Sequence, residues 1–408
     1  MRSRRPRLSA ALAATLAAWA CGFGDAPGGD GQTVRDSAGI RIVENGAPQW
    51  RDGRAWRLAS APALDIGRVD GPEETQLHRV VGAVRLGDGT IVVANAGTGE
   101  VRWFDGAGGY LAGAGREGGG PGEFRRLSWI GRVAGDSVYA WDSSLRRLSV
   151  FHAGRFIRDV RGHLPEERAY PTARGVLRDG SLLVTPGAVY VPEERLGVQR
   201  PPMPLWILSR AGEPLVTLGP FPGASVNLRA AATPGAWIRT PVPFGAATLV
   251  AAAGDRIAVG DNAAYEVRFY ASTGELIARI RRTDATPRTV RPEDLAAELE
   301  RRLSGVPPVE EIREGIRASF RETPAPETLP YYQALVADGE GNLWVRRYAA
   351  PAEPAAVWDV FGPDGRWLGP VSTPDGFEVT DIGADYVLGI WKDELDVEHV
   401  RMYHLTKP

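Results

Sequence analysis

An all-β, six-bladed β-propeller with a small helical insertion is the fold class that this chain predicts, and three observations carry it. The first is composition. Fifty glycines, 32 prolines and 12 tryptophans among 408 residues, 43% of them apolar, suit many short strands joined by tight turns better than long helices. The second is a hairpin signature, apolar alternation on both sides of a Gly/Asp/Asn turn, which recurs as VRLGDGTIVV (84–93), VAGDSVYA (133–140), VLRDGSLLV (176–184), AAAGDRIAV (251–259), VADGEGNLWV (336–345) and DIGADYVL (381–388). Such turns need positive φ at their centre and bind two strands side by side. The third is a fixed spacing: Asn95, Asp142 and Asp261 each stand nine residues before an aromatic, Phe104, Phe151 and Tyr270. Hairpin plus aromatic strand plus a further Gly turn makes four strands per unit, which is one propeller blade.

Taken in order, residues 1–21 read as an export signal. Arg2, Arg4, Arg5 and Arg7 form a basic start, Leu8 to Ala20 run apolar and small, and the segment ends Ala18-Trp19-Ala20-Cys21. The apolar run is too short to span a bilayer permanently. Ala18-x-Ala20 fits ordinary signal-peptidase cleavage. Residues 22–36 hold little to bury and are expected to form a flexible tether, with the propeller filling 37–408. A ring of blades needs a clasp. WRLASAPALDIG (56–67) is expected to give the last blade its outer strand, with GIRIVEN (39–45) beside it.

The glycine-rich GREGGGPGEF (115–124) invites a phosphate-binding reading, but no Lys-Ser pair and no helix follow it. It repeats GRVDGPEETQL (67–77) and is expected to carry the chain from the rim of one blade to the inner strand of the next. The turns at 180, 254 and 339 are farther apart than those at 89, 135 and 180, so insertions follow Thr185 and Arg282. The second, about 283–330, reads as two helices. Pro292, Glu293 and Asp294 suit a helix start, Leu295, Leu299 and Leu303 share a face, Glu298 lies four residues before Arg302, and Gly305 ends the helix. The second helix is expected from Pro308 to Arg321, with Ile312, Ile316 and Phe320 on one side.

The candidate sites are few. Asn95, Asp142 and Asp261 are expected to cap their own turns through the backbone. His78, His152, His163, His399 and His404 are scattered without metal spacing, and DGEGN (338–342) lacks the later calcium-loop ligands, so neither metal nor cofactor is expected. No catalytic motif assigns a reaction, and catalytic residues stay unknown. Most tryptophans are expected in the core; Trp129, at the entry to an inner strand, is a candidate ligand contact, together with Tyr190, Arg195 and Arg200 on the first insertion. A formal charge of −2 and a pI near 6.3 provide no field for gathering nucleic acid. A monomer is expected.

Two resemblances add to this reading. Ala18-Trp19-Ala20-Cys21 resembles a bacterial lipobox, although Ala18 and Trp19 depart from its usual Leu and small residue; the resemblance implies that Cys21, the chain's only cysteine, is acylated. The nine-residue Asp/Asn-to-aromatic pattern, with GPGEF and GNLWV, resembles NHL-type repeats of exported six-bladed β-propeller lipoproteins over roughly 37–408; Thr185 and Arg347 depart from the pattern. That resemblance implies a protein of the cell envelope, periplasmic or surface-exposed, with a lipid anchor to a membrane. It would bind a protein, peptide or glycan partner as a receptor or scaffold, or, as the alternative, act as an envelope lyase or hydrolase at the central channel.

Overall fold

A computed structural model describes residues 26–28, 31–51, 53–133, 135–165, 170–187, 195–231, 233, 236–351 and 356–408. They build an all-β propeller of six antiparallel meanders arranged around an axis. The first blade runs Val80–Arg85, Ile91–Asn95, Glu100–Phe104 and Tyr110–Gly115, and the second runs Leu127–Val133, Ser137–Asp142, Arg147–His152 and Arg155–Arg161. The third uses Thr172–Val176, Leu182–Thr185, Pro202–Leu208 and Pro214–Pro222, the fourth Thr248–Ala253, Arg256–Asp261, Glu266–Ala271 and Leu276–Arg282, and the fifth Tyr332–Ala337, Leu343–Arg347, Ala356–Phe361 and Trp367–Thr373. The sixth has Glu378–Ile382, Tyr386–Lys392 and Glu398–Thr406 from the end of the chain.

Its fourth strand comes from the beginning of the chain. Leu64–Ile66 pairs with Met402 to Val400, and Arg57–Leu58 pairs with Thr406 and Leu405. Leu64 and Ile66 are 4% and 2% exposed, so the seam is closed by burial as well as by a ladder. The segment 56–67 is thus the expected clasp. Residues 39–45 are not beside it: Ile40–Asn45 pairs in parallel with Ala278 to Arg282, the outer strand of the fourth blade. Two features draw it there. Val43 is fully buried against Ile280 and Trp367, and the Asn45 amide donates to the carbonyls of Arg281 and Gly365 while its Oδ1 accepts from the Trp367 amide. For the described residues of 22–36, the expectation of a tether is corrected in the same place. Gln32–Ser37 pairs antiparallel with Asn45 to Ile40, and Ala26–Gly28 pairs with Val34 to Gln32, which widens this sheet to seven strands. Val34 packs on the core cluster and Gln32 is 4% exposed, so part of the polar-looking stretch has something to bury after all.

Between blades lie aromatic wedges. Trp103, Trp141, Trp206, Trp344 and Trp358 are each no more than 3% exposed, and Trp391 packs partly buried against the fifth–sixth blade core. The loop 115–124 is the expected rim-to-axis connection. Gly115 has φ +95°, and a Cβ there would lie 2.8 Å from the Gly99 carbonyl oxygen. Phe124 anchors the far end at 1% exposure. Within the loop, Glu123 accepts from the Gly120 amide at 2.7 Å and pairs with Arg116, and Arg147 donates to the carbonyls of Gly119 and Gly120.

Three segments form a cap together: the insertion after the second strand of the third blade, the connection after that blade's fourth strand, and the insertion after the fourth strand of the fourth blade. Gly197–Gln199, Val226–Ala230 and Trp237–Pro241 make a separate three-stranded sheet. Helices α1 (Pro292–Ser304) and α2 (Glu310–Arg321) lie against it: Asn227 donates to the Glu322 carbonyl, Thr240 meets Ser319 at 2.8 Å, and Arg302 reaches the Pro241 carbonyl. In α1, Asp294 accepts from the Arg291 amide, Gly305 stands at the C-terminal end, and Glu298 pairs with Arg302 at 2.8 Å and with Arg301 at 2.7 Å. Leu303 is buried, whereas Ile312 of α2 is 45% exposed, so the second helix covers only part of its apolar stripe.

Candidate functional site

The inner strands of all six blades converge on an axial channel of about 670 Å³. Its wall includes Trp129, Arg132, Asp136, Arg174, Arg178, Asp338, Thr380 and Asp381. The inner-strand hairpins crowd around one mouth. Their hydrogen bonds cross from blade to blade: Gly87 donates to Asp136 Oδ1 at 2.9 Å, the Arg178 amide to the Gly254 carbonyl at 3.0 Å, and the Gly339 amide to the Ile382 carbonyl at 3.1 Å.

The channel carboxylates are committed to holding these hairpins. Asp338 accepts from the amides of Glu340 and Asn342, from the Asn342 side chain and from Trp344 Nε1, so DGEGN is a turn closed on its own aspartate. Asp381 Oδ2 accepts from the Arg85 amide at 3.0 Å and from the Tyr386 hydroxyl at 2.7 Å. Burial, and then the Asp381 charge, push the Tyr386 phenol well above its usual range, so it stays a donor. Arg132 donates to the Arg85 carbonyl at 2.7 Å, and Arg178 pairs with Asp255 at 3.2 Å.

Arg174 differs. Among the described residues its one polar contact is the bond from Nε to Thr185 Oγ1, 2.9 Å. Solvent reaches it along the channel, yet protein surrounds it, and that burial lowers its pKa. A guanidinium keeps its charge even so, and both terminal nitrogens remain for an acceptor. Thr185, which breaks the Asn/Asp pattern of the other blades, is the residue that aims it. Trp129 lies partly buried along the same wall, packed on the second–third blade core. Gly131 makes room for its ring: a Cβ there would stand 2.2 Å from Trp129 Cη2.

The remaining sequence candidates sit elsewhere. Tyr190 and Cys21 lie outside the described residues. Arg195 is exposed next to the small sheet. Arg200 is a brace, with Nη1 on Asp261 Oδ2 at 2.9 Å and Nε on the Gly223 carbonyl at 2.9 Å, which ties the first insertion to the fourth blade. The histidines stay apart; His399 meets Asp65 at 2.7 Å and His163 meets Glu213 at 2.8 Å, both near the surface. Among the described residues no three His, Cys, Asp or Glu side chains gather as a metal site. Arg174 was passed over in the sequence because one arginine on one inner strand has no periodic signal; Thr185, noted as an exception, was the available pointer.

No family model matches the chain, and no curated protein matches it. Solved structures do resemble it. A member of the DUF4221 family from Bacteroides vulgatus is 11% identical with a TM-score of 0.50, covering 87% of this chain and 99% of its own. A Bacteroides fragilis protein carrying the description of an exported protein is 11% identical at TM-score 0.48, covering 90% and 99%. Virginiamycin B lyase from Staphylococcus aureus is 9% identical at TM-score 0.39, covering 86% and 99%. At such identities the likeness to the DUF4221 structure supports the propeller fold.

Proposed function

We propose that this chain is an exported, monomeric binding protein, held at the cell envelope through a lipid on Cys21, that takes a small anionic ligand into the axial channel. The basic, then apolar N-terminal segment ending in the sole cysteine supports export and acylation. The observation that carries the binding reading is Arg174, a cation on the channel wall, open to the channel, whose terminal nitrogens meet no protein acceptor among the described residues. The channel volume is that of a small-molecule site, and Trp129 offers an aromatic surface along the same wall. The channel carboxylates hold hairpin amides and the Tyr386 hydroxyl, and the group that faces the channel with open donors is a cation, which favours binding of an anion over a lyase or hydrolase reaction.

A second reading concerns the cap. Leu196, Val198, Trp237 and Ile238 are 59%, 51%, 37% and 41% exposed around Arg195, and such a patch favours a protein, peptide or glycan partner, with Tyr190 and Arg195 among its contacts and Arg200 holding the insertion in place.

The test is native mass spectrometry of protein recovered from envelopes of a bacterium with lipoprotein processing. The expected species starts at diacylated or triacylated Cys21 and carries a small anionic molecule; Cys21→Ser is released from membranes, Arg174→Gln loses the molecule while melting normally, and Trp129→Ala loses it with a lowered melting temperature, since its ring also packs on the core. A processed chain with a free thiol refutes the anchor. Retention of the molecule by both channel variants refutes the site.

A further inference from the structure

A second cavity, of about 240 Å³, opens between the fourth and fifth blades beneath the cap. Tyr265, Arg282, Asp284, Arg288, Tyr331, Arg347 and Tyr348 are among its lining residues. Below it lies Asp359, fully buried, which fixes the polar groups above. Its carboxylate accepts from the Tyr265 hydroxyl at 2.5 Å, from Arg282 Nη1 at 2.8 Å, and from Arg347 through Nε at 3.0 Å and Nη2 at 2.7 Å. Arg282 is further held by Asp284 and lies 3.7 Å over the Trp367 ring.

Arg347 stands where other blades carry Asn95, Asp142 or Asp261, so a cation replaces the turn-capping acceptor. Because Asp359 occupies the Nε/Nη2 edge, the terminal fork of Arg347, Nη1 with the second Nη2 proton, meets no acceptor among the described residues. The side chain is 40% exposed. Two further donors point to the same chemistry. Neither the Tyr331 nor the Tyr348 hydroxyl has a protein partner among the described residues, and burial, followed by the charge of Glu298, pushes the Tyr348 phenol up to about 12, so it remains protonated. Arg288 also lines the wall and braces it, with Nη1 on the Tyr348 carbonyl at 3.1 Å.

We propose that this cavity is a second binding site, specific for the carboxylate of a small ligand, with Arg347 as its bidentate anchor and Tyr331 and Tyr348 as supporting donors. The terminal edge of a guanidinium matches the two oxygens of a carboxylate in one plane. The volume holds about eight waters' worth of ligand, enough for a carboxylate on one ring or a short chain. The tyrosine faces suit a flat body.

Isothermal calorimetry on the full mature chain tests this, with benzoate, its neutral analogue benzyl alcohol, and inorganic phosphate as probes. Benzoate is expected to bind at one site and benzyl alcohol about tenfold or more weaker. Arg347→Gln should weaken benzoate by about tenfold or more, the loss of a charged hydrogen-bond pair. Should Arg347→Gln unfold by leaving Asp359 short of donors, the Tyr331→Phe, Tyr348→Phe pair removes two donors without touching Asp359 and should still weaken benzoate severalfold. Phosphate binding as tight as benzoate would overturn the carboxylate assignment. Benzoate binding that survives both sets of variants, or that is lost on Arg174→Gln instead, would overturn the site.

Discussion

At the end of the second strand of the first, second and fourth blades, one polar side chain holds the segment that enters that same blade. Asn95 accepts from the His78 amide at 2.7 Å, and Asp142 accepts from Arg125 and Arg126 on one oxygen and from Ser144 and Leu145 on the other. In the fourth blade the task moves one residue, to Asn262, which accepts from Ala247 and donates to the Tyr332 carbonyl; Asp261 is thereby released to hold Arg200. The sequence showed the repeated Asx positions and their capping of turns, since a nine-residue spacing is a local pattern. It did not show that they also catch the incoming strand, because that partner lies 16 or 17 residues back. Asp142→Ala strips acceptors from four part-buried amides and is expected to cost about 2 kcal/mol, read as a lowered urea midpoint with unchanged m-value; an effect within about 0.5 kcal/mol, that of a neutral surface change, would contradict this role.

Among the elements, the two helices were legible and the small cap sheet was not. Pro292 with its acidic neighbours is a local start signal, and α1 begins there; α2 starts at Glu310 rather than Pro308. The cap sheet joins Gly197–Gln199 to Val226–Ala230 across the outer half of the third blade, and three residues in a strand carry no readable period. The hairpin of Val226–Ala230 and Trp237–Pro241 had a signal in the sequence, a Pro-Gly dipeptide between two short runs, but no partner in view. Glu298 gives α1 a pH response. Burial alone would raise its pKa, but hydrogen bonds from Arg301 and Arg302 outweigh burial and lower it from the usual 4.5. A depressed folded-state pKa means stabilisation that is full above the unfolded value and lost as pH falls through the folded one. The stability gap between wild type and Glu298→Gln should therefore be constant from pH 7 to about 5 and shrink below about 4; a gap that widens on acidification would refute the assignment.

For the whole molecule, six repeated turns made the ring legible, and the need to close it located the clasp at 56–67. The path between was not legible. Ile40–Asn45 reads as a strand without a destination, and only the assembled fourth and fifth blades present the buried slot that Val43 and Asn45 fill. The clasp makes a strong prediction: Leu64→Ala with Ile66→Ala should lower stability of the entire ring by about 4 kcal/mol or more, the usual cost of two buried truncations, with all tryptophan signals melting together. A second, separate transition confined to the sixth blade would show that closure does not govern the ring.

That seam joins residues 57–66 to 398–406, nearly the whole chain apart, and this sets an order of events. During synthesis the early strand has no neighbour to pair with until Glu398–Thr406 leaves the ribosome, and the loop to be closed is long. No complete ring can form on the cytosolic side of a translocation pore that takes up the chain from its N-terminus. For an exported protein the late seam works as a timer. Under the proposed export, it would keep the polypeptide threadable while it crosses and leave ring closure to the compartment where the nine-residue strand Glu398–Thr406 arrives.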